Sequence, residues 1–233
     1  MSAIRHLDLR QAIIDTALAM NARGINQGTS GNVSARVEDG FLITPSGMPY
    51  EDIRPEDIVE MAWDASYVGP RPSSEWRFHR DILRNRPDMA AIVHTHSCFA
   101  TTLAGYGMDI PAFHYMVALA GGPTIRCARY ATFGTQELSD NALEALEGRD
   151  ACLLAHHGVI ALGTTLARAL ALAVEVENLA RMYVYAHTLG QPPILSDEEM
   201  ARVMEQMRRK DYGRAAADRE GAGGDSPRPR AAD

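Results

Sequence analysis

Lysine is almost missing from this chain: of 23 Lys and Arg residues, only Lys210 is a lysine, close to the C-terminal end. A Schiff-base mechanism needs a lysine inside a folded site, so imine chemistry is excluded for the main body of the chain. Nor is there a match to the lysine-bearing phosphate loop of nucleotide hydrolases. Cysteine is scarce too. Cys98, Cys127 and Cys152 form an odd, scattered set without paired spacing, which argues against a disulfide framework and suits a reducing cytoplasm. The polar stretch Met1 to Arg10 carries no apolar signal core, so a cytoplasmic location is expected. No run reaches membrane-spanning length: Leu166 to Ala173 is short and is followed by Glu175 and Glu177. A net charge of −7 would repel a phosphate backbone and argues against a nucleic-acid partner. One small anion, held by a local pocket, is compatible with it. No internal repeat is visible.

What is present is the composition of an ordinary globule, 46% hydrophobic and 23% charged over 233 residues, enough for one large domain or two small ones. Apolar periodicity predicts a helix over Leu9 to Ala22, stopped by Gly24. Val33 to Val37 and Phe41 to Thr44 read as strands, and the Asp39-Gly40 pair between them signals a hairpin. Ile58 to Met61 is a further short strand. Ser73-Ser74 can open a helix that ends before Pro87, and Met89 to Val93 reads as a strand running into His94. Helices are expected from about Ser97 to Leu103, over Thr135 to Leu146 with Thr135 as cap, and over Leu166 to Leu189. Ala151 to Ala155 is a buried strand. Ser196-Asp-Glu-Glu199 is a capping box for a last helix, to about Arg209. Strands interspersed with helices predict a three-layer α/β/α or α+β domain. From Gly213 to Asp233 apolar periodicity ends, and this stretch is expected to be a disordered tail.

His94-Thr95-His96 carries most of the chemistry. Residues two apart on a strand project to one face, so His94 and His96 form an imidazole pair at a strand end. A second strand, Ala151 to Ala155, also ends in histidines, and either His156 or His157 can supply a third imidazole. Three histidines with an open position are what a catalytic zinc site uses, although other divalent ions share such ligands. Glu75 offers a fourth ligand or a general base, and apolar neighbours would raise its pKa toward the second task. A first-turn helix glutamate favoured by the dipole explains it equally well. His6, His79 and His187 read as surface or satisfied core histidines. Three loops rich in glycine and hydroxyls, Gly28 to Asn32, Thr44 to Gly47 and Pro72 to Ser74, suggest an anion pocket of backbone N–H groups and hydroxyls.

Together these runs resemble the class II aldolase and adducin-head family. The matching motifs are Asn26-Gln-Gly-Thr-Ser-Gly-Asn-Val-Ser34, Leu42-Ile-Thr-Pro-Ser-Gly47, Pro72-Ser-Ser-Glu-Trp-Arg-Phe-His79 and Val93-His-Thr-His96. They continue with Pro111-Ala-Phe-His-Tyr-Met116, Tyr130-Ala-Thr-Phe-Gly-Thr135, His156-His-Gly158 and Leu195-Ser-Asp-Glu-Glu199. The resemblance runs from about Gln11 to Met207. It implies an α/β fold, a three-layer α/β/α single domain over residues 1–212 with a central, mostly antiparallel sheet. It also implies a homotetramer with zinc, or another divalent ion, at the subunit boundary.

By motif, the resemblance makes His94, His96 and His157 the metal ligands. Glu75 becomes the acid/base and a ligand when substrate is absent, and Tyr115 a proton carrier acting across the interface. Asn32, Ser46, Gly47, Ser73 and Ser74 become phosphate-binding residues. The implied reaction splits a ketose 1-phosphate, either L-fuculose 1-phosphate or a 5-deoxy- or 5-methylthio-ribulose 1-phosphate, into dihydroxyacetone phosphate and an aldehyde. The alternatives are a sugar-phosphate 4-epimerase or a methylthioribulose-1-phosphate dehydratase on the same metal site. A non-enzymatic, adducin-head-like assembly module should lack the histidines and the glutamate that this chain keeps. Tyr212 is the nearest match to a family tyrosine that closes over a neighbouring site, displaced by two residues from its expected spacing.

Overall fold

The structure, a computed structural model, describes residues 4–210. Tyr212 and the expected tail from Gly213 to Asp233 lie outside the described residues. Eight strands form one sheet: β1 Asn32–Val37, β2 Gly40–Ile43, β3 Val59–Ala62, β4 Tyr67–Val68, β5 Ala91–Thr95, β6 Arg126–Ala128, β7 Ala151–Leu154 and β8 Gly158–Gly163. Their order is β4-β3-β2-β1-β5-β8-β7-β6. Every neighbouring pair is antiparallel except β6 with β7. The described residues also form six α-helices: α1 Leu7–Ala22, α2 Trp76–Asn85, α3 Cys98–Gly105, α4 Gln136–Ala145, α5 Leu166–His187 and α6 Asp197–Lys210.

Strand alternation divides the core in two. Val33, Val93, Leu153 and Val159 face one way and pack with α1, α3 and α5. Phe41, Ile92, Leu154 and Ile160 face the other way and pack with α2 and α4. Both faces of the sheet are therefore dry, and the domain is a three-layer α/β/α sandwich with a mostly antiparallel sheet, as the resemblance implies. Strands buried on both faces read as short continuous apolar runs, which is why Ala151 to Ala155 is legible in the sequence.

Local signals act where expected, with some changes. Thr135 caps α4 by accepting from Leu138 N at 3.2 Å. Ser196 accepts from Glu199 N at 3.2 Å, but the Glu199 carboxylate turns to Arg202 Nε at 2.9 Å, so only half of the capping box is closed. The N-terminus of α3 is held from a distance: the two carboxylate oxygens of Glu177 on α5 accept from Phe99 N and Ala100 N, both at 2.9 Å. That clamp uses the exposed donors of a first helical turn and fixes the chain directly after His96.

Three strands were not expected. β4 and β6 are short edge strands with few apolar residues. β8 follows the histidine pair without a break, and glycines at both of its ends hide a run of only four apolar residues. It is nevertheless central, lying between β5 and β7.

Candidate metal centre

Because β8 is antiparallel to both β5 and β7, the carboxyl ends of β5 and β7 emerge on the same edge of the sheet. His94 lies in β5 and is fully buried; His96 follows at the strand end, and His157 sits in the turn from β7 to β8. His156, preceding it, takes a left-handed conformation at φ 55°, which makes the turn tight enough to aim the next side chain back. The ring of His156 itself lies edge-on to Tyr130, 5.8 Å between centroids. Of the two candidates for the third imidazole, the structure brings His157 to the other two. One ligand atom each from Glu75, His94, His96 and His157 lies within 4.8 Å of the others.

Hydrogen bonds set the ring nitrogens. His94 Nδ1 is 2.8 Å from the Val159 carbonyl oxygen, which can only accept, so Nδ1 donates and Nε2 carries the lone pair. That Nε2 lies 3.0 Å from His96 Nε2 and 3.1 Å from Glu75 Oε2. His157 Nε2 lies 3.1 Å from Glu75 Oε1. Glu75 Oε1 is buried and has no hydrogen bond of acceptable geometry. Converging imidazole nitrogens beside an unsatisfied carboxylate oxygen are mutually repulsive donors of electron density unless a cation lies among them. The donor set therefore fits a divalent metal. The Val159 carbonyl is the kind of outer partner that fixes a ligating imidazole.

Electrostatics depart from one sequence expectation. Burial does act to raise the Glu75 carboxyl, but the imidazoles of His94 and His157 outweigh it and hold the group well below the usual carboxylate range. The apolar surroundings alone would have raised it; the imidazoles of His94 and His157, 3.1 Å away, reverse the sign. Burial, reinforced by His94 and His157, lowers His96 to about 4. Glu75 occupies the position before α2 but does not cap it, since its carboxylate is turned to the imidazoles.

The three expected anion loops also converge. Ser73 N donates to the Thr44 oxygen at 3.1 Å and Ser46 N to the Arg71 oxygen at 3.0 Å, pairing the second loop with the third. Thr44 Oγ1 accepts from Val33 N at 3.2 Å, and Tyr50 Oη donates to the Gly31 oxygen at 2.5 Å, which ties the first loop to the second. Ser46 and Gly47 are exposed, Ser74 is half-buried and Ser73 is buried. Ser73 Oγ accepts from Glu75 N at 3.3 Å. Asn32 is different: its side-chain amide donates to Glu75 Oε2 at 3.0 Å and accepts from His79 Nε2. Both ends of that amide are taken inside the protein. Tyr115 stands outside the four-residue cluster, 43% exposed, on a 3-10 segment, Tyr115–Ala120, that packs against α5 and α6. The Val159 carbonyl, which fixes the His94 ring, carries no side-chain chemistry, so nothing in the sequence marks it as part of the site.

His79 is a satisfied core histidine, with no exposed surface, and burial lowers its pKa from 6.5 to about 3. Its folded pKa lies below its unfolded one, so the unfolded chain takes up a proton that the folded chain refuses between those values. Stability is thus complete above pH 6.5 and is lost as pH falls toward 3. At roughly 1.4 kcal/mol per pH unit the full loss is about 5 kcal/mol. Denaturant melts of metal-free protein from pH 7 to pH 4 should show this decline, with a shallower slope for His79→Gln. An equal slope in that variant would place the acid sensitivity elsewhere.

Residues 11–184 match the family described as Class II Aldolase and Adducin N-terminal domain. The chain is 57% identical over 206 residues to a 5-methylthioribulose-1-phosphate/5-deoxyribulose-1-phosphate aldolase of Rhodospirillum rubrum, covering 88% of this chain and 92% of that protein. It is 50% identical over 207 residues to an L-fuculose phosphate aldolase of Escherichia coli, covering 88% and 95%. A solved L-fuculose 1-phosphate aldolase superposes with a TM-score of 0.85 at 39% identity, covering 89% of this chain and all of that one. Among the described residues no helix is long and apolar enough to cross a membrane.

Proposed function

The chain belongs to the class II aldolase and adducin N-terminal domain family, and from that membership and the geometry of its site we infer a metal-dependent lyase. It cleaves a ketose 1-phosphate to dihydroxyacetone phosphate and an aldehyde. The observation that carries the reading is the convergence of Glu75, His94, His96 and His157 beside three glycine- and hydroxyl-rich loops. A non-enzymatic assembly domain would have no need of four buried or half-buried metal donors. Relatives at 57% and 50% identity are named for 5-methylthioribulose or 5-deoxyribulose 1-phosphate and for L-fuculose phosphate, so these sugars are the proposed substrates.

His94, His96 and His157 would hold the metal, with Glu75 as a further ligand until substrate arrives. Three imidazoles suit zinc. A divalent ion there supplies Lewis-acid polarisation of the substrate's ketone and hydroxyl oxygens. The residues do the rest. Tyr115, contributed by a neighbouring copy in a homotetramer, takes the proton of the hydroxyl whose carbon–carbon bond breaks. Glu75, which takes up a proton from solvent when substrate displaces it, passes that proton to the carbon that retains the charge, giving dihydroxyacetone phosphate, and Tyr115 releases its proton to solvent. The pocket of Ser46, Gly47, Ser73 and Ser74 holds the phosphate by N–H and hydroxyl donation. Asn32 borders that pocket, with its amide spent on Glu75. A cytoplasmic location agrees with the cysteine pattern.

The test is release of dihydroxyacetone phosphate from fuculose, rhamnulose, 5-deoxyribulose and 5-methylthioribulose 1-phosphates, by metal-loaded and chelator-stripped protein. Ribulose 5-phosphate serves as the epimerase control. Release from a 1-phosphate that disappears on chelation and returns with zinc is expected. Epimerisation of ribulose 5-phosphate, or loss of water from the methylthio sugar without cleavage, would retain the metal centre and overturn the reaction.

A further inference from the structure

We propose that His79 is a positioning residue which, through the side-chain amide of Asn32, fixes the orientation of the Glu75 carboxylate for proton transfer. The inference rests on the role given to Glu75 above. Four polar side chains lie in line on the α2 side of the sheet: Ser34, His79, Asn32 and Glu75, exposed by 0%, 0%, 4% and 5%. Ser34 Oγ is 2.7 Å from His79 Nδ1. His79 Nε2 contacts Asn32 Oδ1, and Asn32 Nδ2 is 3.0 Å from Glu75 Oε2.

The direction of donation along this line follows from its last member. An ionised carboxylate only accepts, so the Asn32 NH2 must face Glu75 and its carbonyl oxygen must face His79. His79 Nε2 is then the protonated nitrogen, and Nδ1 is an acceptor for the Ser34 hydroxyl. Each group donates toward the carboxylate. Were Asn32 flipped, two acceptors would meet at the Glu75 end and two donors at the His79 end, a costly arrangement where no water enters. The His79 N–H thus selects one of two amide orientations, and the selected one pins Glu75 Oε2. The placement is built from regular spacing: Asn32 and Ser34 are two apart on β1, and Glu75 and His79 are four apart at the start of α2.

Two amides of like chemistry separate positioning from packing. Glutamine places its NH2 near the imidazole Nε2 and can still donate to Asn32, whereas asparagine reaches only the Nδ1 site beside Ser34. His79→Gln is expected to keep kcat close to the parent value. His79→Asn is expected to lose roughly 10–100-fold in kcat, the usual effect of removing an outer-shell partner, with KM and bound metal unchanged. In an Asn32→Ala background the difference between the two should vanish, since His79 acts only through that amide. Equal kcat in folded, metal-loaded His79→Gln and His79→Asn, or a difference that survives Asn32→Ala, overturns the proposal. Should a substitution prevent folding, nitrogen NMR of the unmutated protein decides: His79 protonated at Nδ1 contradicts it. Glu75→Gln is the control for the underlying reading. If that variant cleaves normally, the role of Glu75 itself is wrong; if it is inactive while the two His79 variants agree, only the positioning role fails.

Discussion

Glu75→Gln is expected to keep its metal and lose its turnover. Glutamine has the shape of glutamate, and His94, His96 and His157 remain to hold the ion, so metal content should stay near one per chain. What disappears is the group proposed to give and take a proton at the reacting carbon. Positioned acid–base catalysis contributes about 10²–10⁴-fold, and kcat for dihydroxyacetone phosphate release should fall by that amount with KM little changed. The carboxylate now lies 3.1 Å from both His94 Nε2 and His157 Nε2, so its local contacts are to two of the proposed metal ligands as well as to Asn32. That makes the metal measurement decisive. Loss of metal in step with turnover would show a structural ligand in place of a proton carrier, and normal turnover would remove Glu75 from the chemistry altogether.

The second large effect comes from a residue without a side chain. A Cβ on Gly158 would lie 2.4 Å from the Thr95 carbonyl oxygen, 3.0 Å from His96 Cδ2 and 3.2 Å from His94 Cε1. The first of these is backbone of the adjacent strand and cannot swing aside. Gly158→Ala must therefore push β8 away from β5 where Thr95 pairs with Val159 and His94 with Ile160, while crowding two imidazoles. Overpacking of this kind costs about 1–3 kcal/mol. The Val159 carbonyl that orients His94 moves with it, and metal affinity should fall by roughly tenfold or more. Thermal melts and a competitive chelator titration measure both quantities. Gly105→Ala is the control, because a Cβ there meets nothing within 4 Å; it should leave both quantities unchanged. A Gly158→Ala protein with parental melting temperature and metal affinity would show that the strand edge yields more easily than its packing suggests.

The chain alone determined what depends on neighbours a few residues away. Caps at Thr135 and Ser196, the hairpin whose turn is Glu38-Asp39, the strand that leads through His94 to His96, and the glycine–hydroxyl loops all use bonds or periodicities within one element. Family motifs in the right order added the layer architecture, because order along the chain is itself information about topology. Tertiary structure decided whatever depends on distance between elements. It inserted β8, whose short apolar run is bounded by glycines and follows the histidine pair without a break, and through the left-handed turn at His156 brought His157, not His156, to the other imidazoles. It reversed the direction in which the Glu75 carboxyl is shifted, since burial is suggested by apolar neighbours in sequence while the opposing imidazoles arrive from β5 and the β7–β8 turn. It also turned the Asn32 amide inward to Glu75 and His79. Hydrogen bonding and Coulomb attraction act over a few ångströms, and such distances between residues 19 to 82 positions apart exist only after the sheet has closed.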